Sequence, residues 1–447
     1  MRRAGWRFYS GGVLYQTDGA SVRALADLLQ HGINRSTLRR ILVTADNDIL
    51  CLQRDQLLAL SASPEVAEKQ TIRVGTTFTW AFEEAAAYFN RTSDRYTLEV
   101  KGYTDADQLN RAILTGEVDV LAIDDLSLLQ NYAGKDILIP LDSVCPELFS
   151  SNVLYETMLS ALQCGGKNYY LPLLVQPSVN VLPRSYSWTQ QDLQNSRAFF
   201  DMLSANEPEQ FEWDTKEICF GRWLYVSSDY WLDRDNNKAH FQSDDFVALL
   251  EYCGRFAATQ EEAMAHADSG ETPIAWPNKP ISSLEDWYYR IWKQYEVVRA
   301  PFENAAVTLF SPLYIAVVDN NTDLSGESAL LQTFFLDEGW HQRYRISDAW
   351  GNSSSINKTW TQEDIQTDSE TILGNPMTGV DSPEEFRKVA GELEALLAGP
   401  SHFVAASSEL NRVVQEEAVA YFNGACSAEE AARRIQDRIT IYLAEKG

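Results

Sequence analysis

Hydrophobic and polar positions follow two different periods between residues 71 and 125. Ile72 and Val74 share one face of residues 71–75, the period of two that predicts a strand. From Trp80 to Phe89 the period changes: Ala81, Ala85 and Tyr88 recur at helical spacing beside Phe82 and Phe89. Residues 97–100 alternate again, and Ala106, Leu109 and Ile113 mark a second helix. Residues 118–123 are nearly unbroken in apolar character and end in Asp124-Asp125. Strand, helix, strand, helix, strand in one window predicts a parallel sheet covered by helices. Such a sheet places its ligand crevice beyond the carboxyl ends of its strands. Those ends are Thr76-Thr77-Phe78, with Trp80 just behind, and Asp124-Asp125.

Residues 1–66 carry a different pattern. Residues 8–17 read as strand with a turn at Gly11-Gly12, and Val22, Leu25, Leu28 and Leu29 predict an amphipathic helix. Residues 41–44 and 49–52 flank Asp46-Asn47-Asp48 as a hairpin, and 57–60 form a short apolar tail. So small a β-rich piece, a remnant of a larger all-strand domain, must pack on a neighbour. It is expected to be an appendage without chemistry.

Further along, 137–142 is extended, Gly165-Gly166 is a turn, and 175–182 is a strand. Thr189 with Asp192 and Trp188 predicts a helix start. The run 218–220 is too short for its period to decide between helix and strand. A helix follows at 246–256, then an irregular polar stretch at 263–282 and a helical pattern carrying Trp287 and Trp292. Residues 307–310 and 314–318 are predicted strands, 325–344 a helix, and Trp350 opens a predicted polar loop to about 366. Ser382, Pro383 and Glu385 open one terminal helix, and Ser427 with Glu430 opens another whose Ala431, Ile435, Ile439 and Leu443 share a face.

The run IRVGTTF…AAAYFNRTSDRYTLEVKGY…LNRAILTGEVDVLAIDD…LLQNYAGKDILIPLD resembles the first lobe of bacterial extracellular solute-binding proteins, family 1, of carbohydrate-type ABC transporters. The shared features are Phe89-Asn90 at a helix end, Tyr96 before the second strand, and Gly116 before the strand bearing Asp119. The closing AVAYFNGACSAEEAARRIQDRITIYLAE resembles that family's final helix pair. The resemblance spans about residues 70–447. It implies an α/β, two-lobed periplasmic-binding-protein-like fold of type II, preceded by the β-rich appendage. Lobe 1 would take 70–180 and about 319–375, and lobe 2 would take 181–318 and about 376–447. It further implies capture of a small solute, a saccharide, by a monomer that delivers it to a membrane permease, with no catalysis and no cofactor. Location would be extracellular and membrane-anchored. The start Met-Arg-Arg-Ala-Gly shows no apolar signal region and no lipobox cysteine, so an export signal is expected upstream of this stretch. A cytoplasmic chain would begin the same way.

Composition narrows the ligand. The net charge of -27 repels nucleic acid and anionic membrane surfaces, leaving neutral or cationic solutes. Twelve Trp, 20 Tyr and 19 Phe exceed what core packing asks for and suit a stacking site. Six scattered cysteines form no CxxC, so neither a zinc module nor a dense disulfide frame is expected. The run from Asp319 to Ser325 alternates oxygen-bearing side chains, but Leu324 and Leu330 stand where a calcium loop needs glycine and glutamate, so it reads as a turn. His31, His240, His266, His341 and His402 have no partner at metal or triad spacing, so no metal site is assigned.

The ligand-binding candidates are therefore Thr76, Thr77, Phe78, Trp80, Asp124 and Asp125 at the strand ends. Trp223, Trp231, Trp276 and Trp350 join them because they stand near polar, Gly- or Pro-containing runs. A carboxylate there would accept hydrogen bonds from sugar hydroxyls. The plainer role for Asp124-Asp125 is a helix cap, and for each tryptophan it is core packing. Two other functions fit the same cleft: a glycoside hydrolase, which needs a carboxylate pair at defined separation, and a ligand sensor feeding a membrane partner.

Overall fold

The strand Gln70–Thr76 lies inside a six-stranded sheet, pairing in parallel with Tyr96–Gly102 on one side and Val120–Ile123 on the other. The order is Leu138–Ile139, Tyr314–Val318, Val120–Ile123, Gln70–Thr76, Tyr96–Gly102, with Tyr170–Pro172 also paired to Tyr314–Val318. All four residues of Val120–Ile123 are buried, as expected of a strand covered on both faces. The predicted β-α-β-α-β order is present, and the helices run Thr79–Thr92 and Ala106–Leu114. The computed structural model describes residues 6–44, 48–54, 56–60, 69–77, 79–206, 214–228, 230–233, 236, 238–266, 275–301, 307–345, 353–375, 378, 380, 382–404 and 408–446.

A second sheet has the order Trp276–Pro280, Gln176–Pro183, Val307–Phe310, Ser401–Phe403, with Tyr295–Val298 also on Gln176–Pro183. One face of it (Val179, Val181, Val307, Leu309) joins the large apolar cluster that runs on under the first sheet. The helices Lys358–Gly374 and Pro383–Ala398 contribute Trp360, Phe386 and Val389 to that cluster. The other face, through Leu182 and Val298, meets a separate core built by Ser196–Asn206, Lys216–Ser227, Asp244–Cys253, Ser408–Phe422 and Ala428–Lys446. Ala431, Ile435 and Ile439 are buried there on the predicted face.

The sheets meet along a seam. Strand Tyr170–Pro172 in the first sheet leads within four residues into Gln176–Pro183 in the second, and Val307–Phe310 leads back into Tyr314–Val318. The two crossings run side by side, since Pro172 pairs with Tyr314, Gln176 pairs with Phe310, and Leu173 N donates to Leu313 O at 2.9 Å. A third segment completes the seam: Val175 and Ser354 exchange backbone bonds of 2.8 and 2.7 Å. The chain therefore passes from the first sheet to the second at 173–175.

The appendage forms two three-stranded sheets, Trp6–Ser10 with Val13–Thr17 and Val22–Asp27, and Leu38–Val43 with Ile49–Gln53 and Leu57–Leu60. Residues 22–27, predicted as a helix, are a strand. Their apolar positions pair across Val13–Thr17 with a register shift, so tertiary pairing overrides a short periodic signal. The helix start predicted at Thr189 is instead a turn, in which Asp192 accepts from Thr189 N and Oγ1. Residues 358–366, predicted as loop, open the helix Lys358–Gly374. Asn357 caps it, and Trp360 and Thr361 supply a narrow buried side that too few apolar residues advertise.

Asp119 anchors the first sheet. Its Oδ2 accepts from Arg73 N at 2.8 Å and Arg73 Nε at 2.9 Å, and its Oδ1 accepts from Asn321 Nδ2 at 3.0 Å. Burial alone would raise this carboxyl, but the Arg73 bonds hold it below the ordinary value. Replacing Asp119 by Ala is expected to destabilise by about 2–3 kcal/mol, less than the roughly 3–5 kcal/mol for breaking a fully buried pair because Arg73 is partly exposed. A depressed carboxyl contributes stability that is complete above the unfolded pKa of 3.8 and fades as pH falls through the lower folded value. Denaturation curves of both proteins should therefore converge as pH falls below that window. A gap that persists undiminished there would assign the loss to packing.

Candidate functional site

The parallel strands Gln70–Thr76 and Val120–Ile123 end side by side, since Thr76 pairs with Ala122. The two turns that follow are thus neighbours, and Thr77 Oγ1 donates to Asp124 Oδ1 at 3.2 Å. Asp124 is exposed. Thr76 is fully buried and holds the next loop through its carbonyl, which accepts from Tyr103 N at 2.8 Å. Asp125 caps the helix Leu126–Gly134: its Oδ1 accepts from Leu128 N at 2.9 Å. The cap role weighed for this pair of acids therefore falls on Asp125, and Asp124 is the carboxylate left at the rim. Phe78, the Trp80 side chain and Trp350 lie outside the described residues, although the Trp80 backbone belongs to the helix Thr79–Thr92.

The tryptophans divide by helix face. On Lys216–Ser227, Trp223 packs with Phe199 and Phe200 in the second core, and Trp231 sits there against Phe241 and Phe246. Neither indole reaches a crevice, which corrects the expectation for both. Trp231 also donates Nε1–H to Ser227 Oγ at 2.9 Å, so its polar edge is satisfied internally. Polar residues nearby in sequence raised their candidacy, but Ser227 and Ser228 are buried with the rings.

Trp276 behaves differently. It is half-buried at the start of Trp276–Pro280, with the Arg222 guanidinium 4.3 Å and the Lys279 ammonium 4.6 Å from its ring. Arg222 in turn donates to Asp214 Oδ2 at 2.5 Å. Asp214 is buried, its Oδ1 has no hydrogen-bond partner, and burial pushes its carboxyl up against the opposing pull of Arg222. Tyr225 lies three residues beyond Arg222, on the same side of the helix. It is near enough to the seam residue Tyr314 for their charges to interact, and burial, Tyr225 and Tyr170 all push the Tyr314 hydroxyl upward. Tyr170 and Tyr314 meet edge to face at 6.3 Å. Pattern analysis passed over Tyr225; its signal was a tyrosine at i+3 from an arginine on the less apolar side of a helix.

An aromatic hollow, lined by Trp287, Trp292, Tyr295 and Glu392, lies beside strand Tyr295–Val298, and in it Trp292 donates Nε1–H to Glu392 at 3.0 Å.

No family model matches the chain, and no curated protein matches it. Solved structures do. The sugar-binding protein MalE from the phytopathogen Xanthomonas citri is 13% identical over 84% of this chain and 98% of its own, with a TM-score of 0.53. A periplasmic oligogalacturonide binding protein from Yersinia enterocolitica, in complex with saturated digalacturonic acid, is 13% identical over 85% of this chain and 100% of its own, at 0.51. A de novo designed cysteine esterase is 14% identical over 84% of this chain and 98% of its own, at 0.55. Similarity at this level shows the fold: two-lobed, α/β and periplasmic-binding-protein-like, of type II, as the resemblance implied. It leaves the chemistry to the site, because one fold carries many functions.

The two acids at the rim should separate under mutation. Asp125→Ala is expected to lose about 1 kcal/mol of stability with the cap and to leave ligand affinity unchanged. Asp124→Ala should lose about 1.5–3 kcal/mol of binding at unchanged stability. Titration of each variant beside a denaturation curve checks this, and the reverse pattern would move the ligand contact to Asp125.

Proposed function

We infer that this chain captures a neutral saccharide between its two lobes, without turning it over, as the binding component of an ABC-type importer. The observation that carries this reading is the seam, in which the chain passes between two separately built sheets at paired, adjacent crossings. Crossings so arranged can act as a hinge while each sheet keeps its own core. A solute held by Thr77 and Asp124 on one side and by Tyr225 and Trp276 on the other would favour the closed form by contacting both sides at once. A permease would read that closed form.

The net charge of -27 and the exposed Asp124 favour a neutral ligand over an anionic sugar. The similar MalE and oligogalacturonide-binding proteins lend support, the first being a sugar-binding protein and the second binding an oligogalacturonide. Action outside the cytoplasm follows from the same reading. No described helix is long and apolar enough to cross a membrane, so attachment would rest on another device.

Calorimetry against a panel of neutral and acidic oligosaccharides, with chromatography of the same mixtures, tests this. One neutral sugar should bind at one per chain and be recovered intact. Multiple turnovers of any glycoside, or selective binding of an acidic sugar, would overturn the reading.

A further inference from the structure

We propose that Glu338, His341 and Glu363 form a site for a divalent transition metal of the zinc class, outside the strand-end crevice. His341 lies on the helix Glu338–Arg345 and is only 1% exposed. Its imidazole is fixed from two directions. The ring stacks on Trp360 at 4.8 Å with the planes 6° apart, and Nε2 lies 2.9 Å from Asp364 Oδ1. With Nε2 donating to Asp364, Nδ1 on the Glu338 side is the nitrogen a metal would take. Nδ1 is 3.5 Å from Glu338 Oε1. One carboxylate oxygen from each of Glu338 and Glu363 and a ring nitrogen of His341 all lie within 4.8 Å of one another.

These distances fit a small ion. Tetrahedral zinc with bonds near 2.0–2.1 Å keeps its ligand atoms about 3.3 Å apart. The Glu338–His341 pair is already at that separation. Glu363 is exposed on the adjoining helix, and its side chain would have to change rotamer to close the remaining gap. Glu338 Oε1 also accepts from Gln342 Nε2 at 2.8 Å, which steadies that carboxylate and leaves it acceptor capacity. The histidine held by an acceptor carboxylate on its far nitrogen is the arrangement that orients metal-bound imidazoles and raises their basicity. One nitrogen with two carboxylates favours zinc-like ions over magnesium and calcium, which take oxygen alone. Three protein ligands leave a fourth position to water. The ion would tie helix Glu338–Arg345 to helix Lys358–Gly374 on the lobe that carries the crevice rim.

Untagged protein, cleared of metal by a chelator, is titrated with Zn2+ against a chromophoric competitor, and its melting temperature is followed. One ion per chain should bind, raise the melting temperature and be insensitive to excess Mg2+. The double variant Glu338→Gln, Glu363→Gln keeps the shapes of two exposed side chains, and its fold is checked by circular dichroism. It should bind at least a hundredfold more weakly. Asp364→Asn should bind ten- to a hundredfold more weakly at unchanged stoichiometry, as expected for a ligand-orienting carboxylate. Absence of a one-per-chain site, or zinc binding unchanged in the double variant, would overturn the proposal and assign any zinc uptake to the acidic surface at large.

Discussion

Everything in this molecule depends on how the backbone crosses from one sheet to the other. Leu173, Leu174 and Val175 on the outward crossing and Leu313, Tyr314 and Ile315 on the return are essentially without solvent exposure. A buried strand cannot leave its amides unpaired, because each orphan would cost the full desolvation of a polar group. The seam meets this demand locally. Leu173 pairs with Leu313, Val175 pairs with Ser354, and Ser311 Oγ both accepts from Leu313 N at 3.1 Å and donates to Leu313 O at 2.8 Å. Relative motion of the sheets must therefore twist these paired strands while keeping their bonds.

Polar contacts then fix what the apolar core leaves loose. Glu83 and Glu84 lie buried on the helix Thr79–Thr92, positions where a helix would ordinarily place apolar residues. Glu83 takes Arg35 of the appendage, while Glu84 takes Asn34 of the appendage and Arg343 Nε at 2.6 Å. Asn90 Nδ2 donates to Leu29 O at 2.9 Å, and Gly32 comes so close to Ala87 and Arg91 that a side chain there would collide, at a φ of +74° that favours glycine anyway. The appendage is thus keyed to the first lobe at specified points, and Leu29 belongs to that lobe's core. Buried charges of this kind add modest stability but strongly penalise the wrong docking.

Legibility followed burial. Strands covered on both faces, such as Val120–Ile123, and helices with caps, such as Pro383–Ala398 behind Ser382, were plain in the sequence. Failures arose where tertiary pairing or a narrow buried stripe decided, as at residues 22–27 and 358–366. The strand ends of the first sheet were legible, because topology sets them. Which acid caps and which faces outward was beyond the pattern, since Asp124 and Asp125 are equal candidates until the helix direction is known. Trp223 and Trp231 misled because sequence neighbours do not report which way a ring points. Of the Glu338–His341–Glu363 group only the Glu338–His341 pair is local, on one helix; Asp364 stands 23 residues from His341, too far for spacing to reveal.

The central claim is that the seam is a hinge that closes on a saccharide. Spin labels at Leu114 and Ile441, which are 82% and 60% exposed on the first and second lobes, report the distance between them. They would be placed in a chain whose half-buried Cys164 and Cys426 are replaced by serine. Pulsed electron resonance with and without the saccharide selected by calorimetry reads closure directly. The account predicts a broad, longer distribution that sharpens and shortens on binding. Stoichiometric binding with an unchanged distance distribution would contradict it.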